Sequence, residues 1–273
     1  MGTQFVDTEL RGDVLWVFFN NFEKTLAGAD ADTVDVHTRI GWVMHDARFD
    51  PKVRLIVLTG REENEFYSVP PADHYAVQEH RDRVNPLKRP GGFSGHSYPD
   101  VIEVLALIEK PVVARVKGDV IGFGQSILWG CDIIVASEDI VVADVHTGMG
   151  EVVDSGGVHR GFPQAISPGD GAMAYFSLFL PPTKLKEYML LSKEYTARDL
   201  AAMNIVNYAA PAAEVDGIVD DVVARLLARP DYVLKHTKRL CSKHVINQMN
   251  LARDLSAAYE VNDLWQHAKD GTM

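Results

Sequence analysis

The sequence predicts an α/β fold in which strands and helices interleave before a mainly helical C-terminal region. Two observations carry that prediction. Short apolar runs rich in β-branched and aromatic residues alternate with segments of helical period, and this strand–helix–strand order repeats instead of separating into blocks. Beyond a Gly-rich stretch at 148–171 the pattern is almost wholly helical, with high Ala and Leu content and acidic helix starts.

Residues 14–19 form an apolar and aromatic run suited to a strand. Over 32–48 the period becomes helical, with Val36, Ile40, Val43, Met44 and Ala47 on one face. Residues 53–58 are β-branched and end at Thr59-Gly60, a buried strand followed by a turn. Residues 61–98 are polar and rich in Pro and Gly, which reads as a long loop with one helix after Asp73. A loop of that length inside a compact domain is a candidate binding element. A helix at 101–109, a strand at 111–116, a short apolar helix at 122–130 and strands at 133–136 and 141–142 follow. Further helices are expected near 183–192, 197–204, 213–229 and 231–268, with Pro230 as a break. The division expected is a core over residues 1–200 and a helical region of the same fold over 201–273.

The chain has 273 residues, 47% of them hydrophobic, enough for one sizeable core. A formal net charge of −11 argues against nucleic acid, whose phosphates it would repel. No stretch nears the roughly 20 apolar residues of a membrane helix, and no basic start leads into an apolar run, so neither a membrane span nor a signal peptide is expected. Two cysteines, Cys131 and Cys241, suit a reducing compartment and are too few for a disulfide framework or zinc site. The chain is expected to be cytoplasmic, with a small-molecule substrate and no metal or organic cofactor.

The most informative segment is residues 110–138, from Lys110-Pro-Val-Val through Gly122-Phe-Gly-Gln-Ser126 to Gly130-Cys-Asp-Ile. It reads as a strand, a glycine turn and a helix whose first N–H groups suit a developing oxyanion. The segment resembles the signature of the crotonase (enoyl-CoA hydratase/isomerase) superfamily. Leu55-Ile-Val-Leu-Thr-Gly60 upstream and Thr196-Ala-Arg-Asp-Leu200 downstream resemble it in the same order, over about residues 50–230. The resemblance implies a spiral of ββα turns with C-terminal helices that support a homotrimer or a dimer of trimers. It also implies two backbone N–H donors to an enolate oxygen. By position one is Phe123. The other falls on or beside Pro70, which has no N–H, so either Val69 or Ser68 donates or the hole is built differently.

A hydratase of that family carries two glutamates, where this chain has Ser126 and His146. The segments around His146, around Ile166-Ser-Pro-Gly-Asp-Gly-Ala172, at His37 and at Ala257-Ala-Tyr-Glu260 instead resemble 6-oxocamphor hydrolase-type β-diketone hydrolases. That resemblance implies a pocket of His146, Asp170, Glu260 and His37. His146 would activate water, Asp170 would orient its ring, and Glu260 and His37 would hold the substrate or protonate the enolate. Asp154 and His159, in a longer connection than that branch has, are rivals as partners of His146. The plain structural roles are a helix cap for Asp170, a solvated position for Glu260 and a core position for His37. The main expectation is a cofactor-independent C–C hydrolase of a cyclic or 1,3-diketone. The alternatives are an acyl-CoA hydratase, isomerase or lyase using His146, or an inactive crotonase-fold oligomer. A CoA ester would need cations for its phosphates, and Arg81, Arg83, Lys88 and Arg89 form the candidate cluster.

Overall fold

The computed structural model describes residues 4–28, 34, 36–63, 65–76 and 97–272. The basic cluster at 81–89 lies outside the described residues. The chain opens with an antiparallel hairpin, β1 (Val6–Arg11) and β2 (Val14–Phe19), then a short helix α1 (Phe22–Ala27). Helix α2 (Val36–Phe49) buries Val36, Ile40, Val43, Met44 and Ala47, the face that the period predicts. Strand β3 (Leu55–Gly60) is buried at every position, as a strand covered on both faces must be. Asp73 sits in a 3-10 turn, Ala72–Ala76, and the helix expected after it falls on residues outside the described ones.

Next come α3 (Ser97–Leu107), β4 (Val112–Val116), β5 (Val120–Ile121), α4 (Phe123–Trp129), β6 (Ile133–Ser137) and β7 (Val141–Ala143). The Gly-rich connection is not featureless: β8 (Val152–Val153) and β9 (His159–Arg160) make a small antiparallel hairpin. The remainder is α5 (Met173–Phe179), α6 (Pro182–Leu190), β10 (Tyr195–Thr196), α7 (Ala197–Ala202), β11 (Tyr208–Ala210), α8 (Val215–Leu227), α9 (Asp231–Cys241) and α10 (Lys243–Asp270). Thr196 and Asp199 close a capping box at the start of α7. The single helix expected over 231–268 is two, separated at Ser242.

Among the described residues six strands form the main sheet in the order β1-β2-β3-β4-β6-β11, parallel apart from the opening hairpin. The sheet does not stop at residue 200. Strand β11 pairs with β6, and α8 lays Val215, Val219 and Val222 over the outer face of β3, β4 and β6. The division expected at residue 200 therefore cuts through one packed unit. The opposite face is covered by α2, α3 and α4 in the principal core. A smaller sheet, β10-β7-β5, stands beside it. Because β5 and β7 run parallel, with Ile121 opposite Ala143, the glycine turn after β5 and the segment after β7 emerge side by side.

Candidate active site

Beyond Ala143 the chain continues as Asp144, Val145 and His146. Alternate residues of an extended segment share a side, so Asp144 and His146 face the same way. They meet there. His146 Nδ1 lies 2.9 Å from Asp144 Oδ2 and 3.0 Å from Oδ1, and the backbone N–H of His146 donates to Oδ1 at 2.9 Å.

The buried first turn of α4 supplies the floor. Gln125 Nε2 donates to Asp144 Oδ2 and to Ser126 Oγ, each at 3.0 Å, and Ser126 Oγ donates to Asp170 Oδ2. Asp170 Oδ1 also accepts the Ala172 N–H at 3.3 Å, fixing the turn into α5. Gly124 is required here because a Cβ would stand 2.2 Å from the Tyr67 carbonyl oxygen.

Helix α10 brings Glu260 from the other side. Its side chain is buried against Gly169, where a Cβ would come 1.8 Å from Oε2. The same helix clamps the connecting loop. Asp263 Oδ2 accepts the Ser167 N–H and hydroxyl at 2.8 and 2.6 Å, and His267 Nε2 lies 2.8 Å from the Ala165 carbonyl oxygen.

Burial works against a charge on the His146 ring, but the carboxylates of Asp144, Asp170 and Glu260 overcome it and push its pKa up to about 10. Burial raises Glu260 to about 7, and neighbouring Asp170, Asp144 and Asp263 add to the rise while His146 opposes it. Burial likewise raises Asp170 above the ordinary carboxylate range, although His146 opposes the shift. Near neutral pH the ring is thus an imidazolium, and Glu260 is the group poised to gain or lose a proton.

The structure gathers three of the residues chosen from sequence, His146, Asp170 and Glu260, into one buried cluster. The fourth, His37, is half-buried on α2 with its ring centroid 4.0 Å from that of Phe123. One pairing is corrected: the carboxylate on the His146 ring is that of Asp144, while Asp170 is tied to Ser126 and Ala172. The rivals fall away. Asp154 accepts the N–H groups of Gly156 and Val158 and holds Arg160 at 2.8 Å, and His159 is exposed on the hairpin. The second oxyanion donor is corrected too. Val69 gives its N–H to the Ile121 carbonyl at 3.1 Å, and Ile121 gives its own to Tyr67 at 3.2 Å, so the loop is stitched to β5. Phe123 remains at the head of α4 after the Gly122 turn.

Asp144 and Gln125 were missed from sequence. The Asp-Val-His spacing at a strand end was the available signal for Asp144. A hollow of about 420 Å³, whose lining includes none of His146, Asp144, Asp170 and Glu260, is bounded by Asn21, Glu65, Tyr67, Asp119, Asp154 and Arg160 among others.

Residues 33–271 match the enoyl-CoA hydratase/isomerase family. Similar proteins include a short-chain-enoyl-CoA hydratase of Clostridium acetobutylicum, 25% identical over 254 residues, covering 92% of this chain and 85% of that protein. A carnitinyl-CoA dehydratase of Shigella flexneri is 30% identical over 195 residues, covering 71% of this chain and 66% of that protein. An enoyl-CoA hydratase from Mycobacterium avium subsp. paratuberculosis K-10 has a TM-score of 0.70 at 23% identity, covering 93% of this chain and 88% of its own. Pseudomonas aeruginosa OdaA has a TM-score of 0.73 at 18% identity, covering 98% of each chain. These structural likenesses establish the crotonase fold.

Proposed function

We propose a reaction class on the premise that the chain belongs to the enoyl-CoA hydratase/isomerase family: acid–base chemistry on an acyl-CoA thioester, with Glu260 as base and the His146 imidazolium as acid. The observation that carries this reading is the buried cluster in which Asp144 grips the His146 ring while Glu260, raised to about 7, lies within electrostatic reach of it. Two titratable groups whose surroundings push their pKa values apart are how one site runs acid and base steps together. In hydration, Glu260 takes a proton from water as its oxygen adds to the β-carbon. The electron pair moves to the thioester oxygen, and His146 returns a proton to the α-carbon. The thioester oxygen is assigned to the head of α4, beside Phe123. The family's glutamate pair is thus replaced by a carboxylate from α10 and an imidazolium after β7. Two of the similar proteins are a hydratase and a dehydratase of CoA esters, which agrees with this chemistry.

A second reading is favoured by the convergence of His146, Asp170 and Glu260, which were chosen together from the β-diketone hydrolase pattern. There the same two groups would deliver water to a ketone carbon and protonate the enolate released when the C–C bond breaks. One assay separates the readings: a panel of enoyl-CoA esters beside a panel of free 1,3-diketones, with His146→Ala as the control. Turnover of the esters that disappears in the variant supports the first reading, and turnover of the diketones alone supports the second. Inactivity on both panels would move the chain to the inactive-scaffold alternative.

A further inference from the structure

We infer that Gln125 and Trp129 are a positioning pair that holds Asp144 as an acceptor and the shared proton on Nδ1 of His146, leaving Nε2 as the reactive nitrogen. The inference builds on the reading of His146 as an acid–base group, but its test observes the ring directly.

An indole N–H only donates. Trp129 Nε1 lies 2.6 Å from Gln125 Oε1, so that end of the amide is the carbonyl oxygen, and the Tyr188 hydroxyl donates to it at 3.4 Å. The amide nitrogen is therefore turned toward Asp144 Oδ2 and Ser126 Oγ. A flipped amide would set its NH2 against the indole N–H and its oxygen against the carboxylate, two repulsive contacts. The whole relay of Trp129, Gln125, Ser126 and Asp144 is buried at 2% exposure or less, so water does not substitute for a lost partner. Asp144 thus receives a donor on each oxygen, Gln125 on Oδ2 and the His146 backbone on Oδ1. With a donor already on each oxygen, the carboxylate accepts the ring N–H, so the proton between Asp144 and His146 sits on Nδ1. The other titratable groups facing the pair are Asp170, Glu260 and Tyr188.

The test is the titration of the His146 ring nitrogens by 15N NMR. Wild type is expected to stay imidazolium up to a midpoint of about 10. Gln125→Met keeps the length and the apolar body of the side chain but donates nothing. Without that donor the proton shared between ring and carboxylate is held more tightly and lies further toward the carboxylate. The midpoint should therefore rise by about one unit or more, and Trp129→Phe should shift it the same way because the amide is no longer pinned. In Gln125→Met, kcat should drop roughly tenfold or more with KM changed less than about threefold, as expected for a group that acts through the ring. Unchanged midpoints in both variants overturn the inference. Should Gln125→Met not fold, Trp129→Phe alone decides. If the midpoints move while His146→Ala keeps full turnover, the functional reading fails and the positioning pair stands.

Discussion

The carboxylate of Asp144 lies 2.9 Å from Nδ1 of His146, and the two residues are separated by one position at the end of β7. The contact is therefore local: it needs only an extended backbone and a buried side. Everything that makes it chemically useful comes from afar. Gln125 reaches it from α4, Asp170 from the turn before α5, and Glu260 from the last helix. Asp144 occupies Nδ1 of the ring, and Glu260 supplies a second titrating group near neutral pH.

Asp144→Asn should lower turnover by roughly two to four orders of magnitude, close to the loss in His146→Ala. The double variant should be little worse than either single one, because the two residues act as a unit. Asp170→Asn should cost less, since Asp170 bonds to Ser126 and Ala172 and not to the ring. Steady-state kinetics on whichever substrate is turned over checks the ranking. An Asp170→Asn variant more damaged than Asp144→Asn would restore Asp170 as the principal partner.

Gly169→Ala should act through Glu260. The added Cβ would meet the carboxylate 1.8 Å from Oε2, so the side chain must leave its place. Forcing an atom into a packed site of this kind costs about 1–3 kcal/mol, visible as a lower melting temperature. Activity should fall further than that stability loss explains. Retained turnover with an unchanged melt would show that the Gly169–Glu260 contact is dispensable.

The strands, the glycine turn and the buried face of α2 were legible because each is written in local pattern: β-branched runs, Gly122 with Gly124, and apolar residues at 3.6-residue spacing. His146, Asp170 and Glu260 were legible only through likeness to a family, since 114 positions separate His146 from Glu260 and no period links them. Asp144 was hidden for a different reason. An acidic residue at a strand end ordinarily reads as solvated, and only its complete burial beneath the ring gives it a role. The Val69 N–H was misjudged because its partner, Ile121, comes from a strand of two residues that sequence does not mark. Strand β11 was invisible likewise, three residues long and defined by pairing with β6.

The late helices should assemble copies of the chain. Leu190, Leu191, Leu240, Leu251, Leu255 and Tyr259 are exposed on α6, α9 and α10 and the turn after α6, with Leu191 and Leu240 at 73%. Apolar side chains exposed in that number on the late helices are what a subunit interface would cover. Light scattering should give three or six times the 30.2 kDa chain mass, and Leu251→Glu combined with Leu255→Glu should reduce it. A monomer at micromolar concentration in the parent protein would end this expectation.

The pH dependence tests the assignment of acid and base most directly. Glu260 rises from an ordinary 4.5 to about 7 on folding, and His146 from 6.5 to about 10. As base, Glu260 must be ionised, so the rate should climb as pH passes about 7. As acid, His146 must carry its proton, so the rate should fall as pH passes about 10. Glu260→Gln should remove the lower limb and cut turnover by roughly two to four orders of magnitude. Stability has its own sign. Both pKa values are raised, so over these windows the folded protein binds more protons than the unfolded chain, and stability falls as pH rises. The contribution of His146 is fully present below 6.5 and is lost as pH passes about 10; that of Glu260 is present below 4.5 and is lost through about 7. Thermal melts of the parent should therefore fall between pH 6 and 10, while Glu260→Gln flattens the lower part of that slope. A lower limb that persists in Glu260→Gln would assign it to another group and leave Glu260 a structural carboxyl.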